Sequence, residues 1–136
     1  MSKKYACHKL SEGKAQGEVV RTKERIMFYQ VRPEDGVMEE KNHELEGQVL
    51  ARKVLIFPGG KGSSVVQQDG LYHLSRFDNM PVALIIQSPD QVLVADAIVM
   101  EIPMVDRLPE EFYETVKTGD QVLVNADEGY VEILDS

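Results

Sequence analysis

The apolar residues of this chain fall in short runs set between polar, glycine- and proline-bearing stretches. Val19-Val20 and Ile26 to Val31 are rich in β-branched and aromatic residues and predict β structure. Pro33-Glu34-Asp35-Gly36 predicts a turn: proline presets φ and glycine allows a positive one. The polar stretch Glu39 to Gly47 predicts a loop. Val49 to Phe57 predicts a strand, and its end, Val54-Leu55-Ile56-Phe57, is apolar at every position. An unbroken run of that kind implies burial on both faces of a sheet.

The middle of the chain then alternates. Ser64 to about Phe77 predicts a helix capped by a serine, with Gly70 counting against it. Pro81 to Gln87 carries Val82-Ala83-Leu84-Ile85-Ile86, a second buried strand. Pro89 and Asp90 open a helical stretch through Met100, with the proline well placed in a first turn. Ile102 to Val105 predicts a short strand, and Pro109 to Lys117 a helix ended by Gly119. Gln121 to Val124 and Tyr130 to Leu134 flank Ala126-Asp127-Glu128-Gly129 and predict a hairpin. With no internal repeat or linker, the expectation is one α/β domain over residues 1–136, with β elements from both ends packed beside a central α/β layer.

Composition narrows the function classes. The chain has 136 residues, 43% hydrophobic and 28% charged, which is ordinary for a globular domain. Its net charge of −8, with basic residues dispersed among acids, argues against nucleic acid and anionic membranes as partners. The single cysteine, Cys7, makes no internal disulfide and cannot hold zinc or an iron–sulfur cluster unaided. No metal or cofactor site is therefore expected in this chain alone. Met1 to Leu10 is polar, without the apolar core of a signal peptide, and no stretch approaches the roughly 20 apolar residues of a membrane span. A soluble, cytoplasmic protein is expected.

The segment with most chemical content is Pro58-Gly59-Gly60-Lys61-Gly62-Ser63-Ser64, between a buried strand and a helix. Three glycines let the backbone approach a ligand closely. A helix start offers free N–H groups and the positive end of its dipole to an anion. Lys61 adds a mobile charge, and Ser63 and Ser64 add hydroxyls whose alkoxide form such surroundings favour. The spacing is not that of a P-loop, because lysine precedes the last glycine. On spacing alone, a tight strand-to-helix turn with a serine cap explains the segment equally well.

Other candidates are weaker. His8, His43 and His73 share no ligand spacing and read as surface or half-buried residues. Asp106-Arg107 follows a strand, where α/β proteins place ligand groups, but a local ion pair or helix cap accounts for it too. Asp127-Glu128 reads as turn chemistry, and the methionines as filler.

Several segments together resemble the aconitase X swivel domain family. They are Gly13-Lys14-Ala15-Gln16-Gly17-Glu18, Gly47, Lys53 through Val65, Ile102-Pro103-Met104-Val105-Asp106-Arg107, and Thr118 through Gly129. The resemblance runs in order over nearly the whole chain. It implies a swivelling β/β/α domain that works as the small subunit of a heteromeric iron–sulfur hydro-lyase. The cluster is then expected on a large aconitase X-type partner subunit, with a small hydroxy acid as substrate. Within the family, the tail and the Val-Asp-Arg segment are nearer the group that dehydrates 5-phosphomevalonate to an anhydro product than the group acting on cis-3-hydroxy-L-proline. Related aconitases use the first serine of a Gly-Ser-Ser segment as catalytic base, which puts that role on Ser63. Lys61, Gly62, Ser64 and Arg107 then fall to substrate binding.

There are departures. Val65 stands where aconitases have an arginine, so the grip on the substrate carboxylate must differ. Val66-Gln67-Gln68-Asp69-Gly70 and Pro89 through Ile98 also depart from the family pattern. They leave open the other substrate group, and a non-catalytic binding module that kept the fold.

Overall fold

A computed structural model describes residues 3–134. Eight strands form one sheet: β1 (Lys3–Ala6), β2 (His8–Ser11), β3 (Lys14–Arg21), β4 (Val54–Phe57), β5 (Ala83–Ile86), β6 (Met104–Asp106), β7 (Gln121–Asn125) and β8 (Tyr130–Ile133). Three helices complete the order: α1 (Ser64–Arg76), α2 (Gln91–Val99) and α3 (Glu110–Thr115). The strands lie in the order β1-β8-β7-β3-β4-β5-β6-β2.

The long strand β3 joins two kinds of sheet. Its first half pairs antiparallel with β7, from Lys14 opposite Asn125 to Glu18 opposite Gln121. Its second half pairs parallel with β4, Val19 opposite Val54. From there β4, β5 and β6 continue in parallel. The antiparallel β2 closes that edge, with His8 opposite Asp106.

The unbroken apolar strands are explained by what lies on each face. Leu55 and Phe57 of β4, with Leu84 and Ile86 of β5, join a core with Leu71 and Leu74 of α1 and Leu93 and Ala97 of α2. The alternate residues Val54, Ile56, Ala83 and Ile85 join Tyr5, Val122, Val124 and Val131 from the antiparallel strands and Phe112 of α3. Period-two alternation sends neighbouring side chains to opposite faces, so a sheet covered on both sides needs apolar residues at every position. The result is the expected β/β/α layering.

Three local expectations need correction. Ile26 to Val31 is not a strand. Ile26 makes only a single bridge to Gly60, and Phe28–Gln30 is a 3-10 turn that buries Phe28 edge-on against Phe57 at 5.9 Å between ring centroids. Val49 to Phe57 is a strand only from Val54. Val49 bridges Val37, and the chain then turns at Ala51-Arg52, where Arg52 has φ +59°. The strand after Pro103 runs one residue further than expected, through Asp106. Gly70, by contrast, does not break α1. A Cβ there would stand 2.4 Å from the Tyr29 amide nitrogen, so the glycine is where the helix crosses the 3-10 turn.

Candidate functional site

Parallel β3, β4, β5 and β6 all end at one edge of the sheet, and the segments leaving them gather there. Ligand groups collect at such carboxyl ends because the connecting loops and helix starts converge there. Leaving β4, Gly59 and Gly60 are buried, Lys61 is half-buried, and Gly62, Ser63, Ser64 and Val65 are exposed.

The loop is held from three sides. The segment after β3 runs alongside it: the Ile26 amide donates to the Gly59 carbonyl at 3.0 Å, and the Lys61 amide to the Ile26 carbonyl at 3.1 Å. Arg25 lies over the two buried glycines and donates from Nη1 to the Gly60 carbonyl at 3.3 Å. A Cβ on Gly59 would come within 2.6 Å of that nitrogen, so glycine here admits the guanidinium. From the β5 side, the Ser88 amide donates to the Pro58 carbonyl at 2.8 Å. From α1, Gln67 Nε2 donates to the Gly62 carbonyl at 3.1 Å.

Ser63 is the N-cap of α1. Its extended backbone (φ −69°, ψ 164°) lets Oγ accept from the Val66 amide at 3.3 Å. Gly62 before it has φ +97°, a region costly for any residue with a Cβ. The glycine-serine order thus has a local cause: one residue turns the chain, the next caps the helix. The Ser63 hydroxyl is on the surface, at the positive end of a 13-residue helix. That position favours a negative oxygen over a neutral one.

Lys61 is not free. Its ammonium lies 2.6 Å from Glu40 Oε2, a residue of the polar stretch Glu39 to Gly47. That stretch is anchored to the segment after β3. Glu44 accepts from the Thr22 hydroxyl at 2.5 Å and the Lys23 amide at 2.9 Å, and the Thr22 bond, above all, holds its carboxyl below the usual range. His43 is buried rather than exposed. Nε2 donates to the Arg25 carbonyl at 3.0 Å and Nδ1 accepts from the Leu45 amide at 3.0 Å.

Arg107 leaves β6 at the same edge with φ +58°, its side chain largely in solvent and Nε 3.9 Å from Asp106 Oδ2. β5 stands between it and the Ser63 loop, two strand spacings or roughly 10 Å. The buried Asp106 also bonds His8 Nδ1 at 2.8 Å. Cys7 lies nearby, its thiol pushed up to about 11 by burial and then by the Asp106 charge. Sequence reasoning gave no role to Arg25 or Glu40. They reach the loop from segments 35 and 21 positions away, and nothing in their local spacing announces it.

An iron–sulfur cluster does not fit this chain. It needs several thiolate ligands, the sequence has one cysteine, and that thiol is biased toward its protonated form. Among the described residues no three His, Cys, Asp or Glu side chains converge as metal ligands. No helix among them is long and apolar enough to cross a membrane.

The architecture recurs in known proteins. The phosphomevalonate dehydratase small subunit of Archaeoglobus fulgidus is 41% identical over 133 residues, 97% of this chain and 99% of that one. The protein of the same name from Methanosarcina mazei is 40% identical over 132 residues, 96% of this chain and 91% of that one. The crystal structure of Thermococcus kodakaraensis aconitase X in its holo-form superposes with a TM-score of 0.88 at 36% identity, covering 98% of this chain and 99% of that one. The family model described as the aconitase X swivel domain matches residues 4–133. By fold and by sequence over nearly its whole length, the chain belongs to the aconitase X swivel domain family.

Proposed function

We propose that this chain is the small subunit of a phosphomevalonate dehydratase, and that Ser63 is the base of the reaction. Dehydrating 5-phosphomevalonate removes a proton from the carbon beside the carboxylate and a hydroxyl from the next carbon, leaving a double bond. Ser63 Oγ takes the proton. The observation that carries this is its placement: an exposed hydroxyl at the cap of α1, next to the turn at Gly62. A serine is a useful base only where its alkoxide is stabilised and water is excluded. The helix start supplies the first condition. A large aconitase X-type subunit closing over this edge supplies the second.

That subunit would also hold the iron–sulfur cluster, which would supply Lewis acidity at the leaving hydroxyl. In this chain, the exposed Ser64 hydroxyl and the first free N–H groups of α1 hold a substrate anion. Lys61 and Arg107 supply positive charge on either side of β5 for a substrate that has a carboxylate at one end and a phosphate at the other. With Val65 exposed after the two serines, no arginine side chain serves at that position.

The test is to co-purify the chain with its large partner, assay it anaerobically with 5-phosphomevalonate, and repeat with cis-3-hydroxy-L-proline. Water loss from the first substrate and none from the second is expected. Ser63→Ala should abolish turnover and leave the two chains assembled. Turnover near that of the unaltered pair would remove Ser63 from the mechanism, and preference for the proline substrate would overturn the choice of reaction.

A further inference from the structure

We infer that Gln67 is the positioning residue for Ser63. The inference rests on Ser63 being the base. Gln67 is 6% exposed and lies in the second turn of α1, beneath the loop. It touches the loop twice. Its amide nitrogen donates to the Ser63 carbonyl at 3.0 Å, and its side-chain Nε2 donates to the Gly62 carbonyl at 3.1 Å. The two carbonyls of the residues that place the hydroxyl are thus both held by one residue.

The second bond fixes the Gly62–Ser63 peptide plane. In a trans peptide the carbonyl and the N–H point in opposite directions. With the Gly62 carbonyl drawn inward by Gln67, the Ser63 N–H faces outward, on the side open to a ligand. Rotating that plane would turn the donor inward and move the Ser63 Cα with it. The glycine at 62 makes such rotation easy, so a side chain is needed to prevent it.

The loop is shaped around this amide. A Cβ on Gly60 would stand 2.4 Å from Gln67 Oε1, so glycine at 60 is what admits the glutamine. Oε1 is buried without a hydrogen-bond partner. Keeping an unpaired acceptor in a protein interior costs stability, and here it is the counterpart of placing the Nε2 donor on the Gly62 carbonyl. A residue chosen for packing alone would be apolar at this position.

The experiment uses two near-isosteric variants in the complete complex with the large subunit, beside the unaltered pair. Gln67→Met removes the donor. Gln67→Glu replaces it with a carboxylate facing the Gly62 carbonyl, and becomes a donor again when protonated. Both should lower kcat about tenfold or more at neutral pH, with KM changed less than about threefold. Gln67→Glu should recover relative to the unaltered pair as pH falls, and Gln67→Met should not. The comparison is made at each pH because Arg25 and the Lys61–Glu40 pair stand at this loop, and α2, which packs on α1, is capped by Asp90 and carries Asp96. Unchanged kcat in both variants, or loss without acid recovery, would overturn the positioning role.

Amide NMR of the full small chain separates this from the dehydratase reading. The Gly62, Ser63 and Ser64 amide signals should move in Gln67→Glu at neutral pH and return toward their original positions in acid. That outcome with no dehydration by the unaltered pair would leave the loop geometry standing and sink the reaction. Unmoved signals would sink the positioning role whatever the activity.

Discussion

Lys61 Nζ lies 2.6 Å from Glu40 Oε2, and the other oxygen of that carboxylate is buried without a partner. The lysine at the candidate site is therefore held by an acid from a loop about 21 positions earlier in the chain, and a substrate anion has to share it or displace that acid. Removing each partner should move substrate affinity in opposite directions. Lys61→Met should raise KM for 5-phosphomevalonate about tenfold, the worth of one charge-assisted hydrogen bond. Glu40→Gln leaves the ammonium without its competitor and should lower KM. Steady-state kinetics of the two variants in the assembled enzyme decide it, and a rise in KM for both would mean the ion pair itself shapes the site.

Gly70 should not tolerate even alanine. In an exposed helix that change gains about 1 kcal/mol, because alanine has the better helix propensity. Here the added Cβ would meet the Tyr29 amide nitrogen at 2.4 Å and the Phe28 carbonyl carbon at 2.5 Å, both rigid backbone. Overpacking of this kind costs about 1–3 kcal/mol. Urea unfolding of Gly70→Ala should show a lower midpoint, and a higher one would mean that α1 does not pack on the 3-10 turn this closely.

How far these features could be read in advance depended on what the neighbours did. Val54–Phe57 and Ala83–Ile86 were legible because burial on two faces writes itself as apolar residues at every position. β1 and β2 left no such mark. Each lies at an outer edge of the sheet and begins with two exposed residues, so Lys3-Lys4 and His8-Lys9 occupy strand positions. Ile26 to Val31 misled for the opposite reason. Its β-branched and aromatic residues serve a core contact, Phe28 on Phe57, and not a run of strand pairing. At the site, Gly62 and Ser63 could be placed because turn and cap are local events. Glu40 and Arg25 could not, since only the folded chain brings them to the glycines.

Asp96 should be a source of pH-dependent instability. It is 7% exposed in the middle of α2, its Oδ2 has no partner, and burial, then the charge of Asp90, raises its carboxyl above the ordinary 3.8. A raised carboxylate binds its proton more tightly when folded. Below 3.8 both states are protonated and nothing is lost. As pH climbs through the folded value the native state must ionise a buried group, and stability falls. Asp96→Asn removes that ionisation, so its Tm should exceed the parent's at pH 7 and the gap should close below about pH 4. A gap that persists in acid would trace the gain to packing rather than to charge.

Arg107 gives a test that keeps folding and binding apart. It sits at φ +58°, where a residue with a Cβ pays about 1 kcal/mol and glycine pays little. Its side chain is largely in solvent and its Nε stands 3.9 Å from Asp106 Oδ2, a long ion pair that adds little to stability. Arg107→Gly should therefore fold as well as the parent or slightly better, with Tm unchanged or raised. If the guanidinium holds one end of the substrate, the same variant should raise KM about tenfold or more, as expected for loss of a charge-assisted contact, with kcat changed less. Arg107→Lys keeps a charge but loses the planar fork and should fall between the two. An unchanged KM in Arg107→Gly would take Arg107 out of the substrate site and leave it as a strand end whose left-handed turn has only a structural purpose.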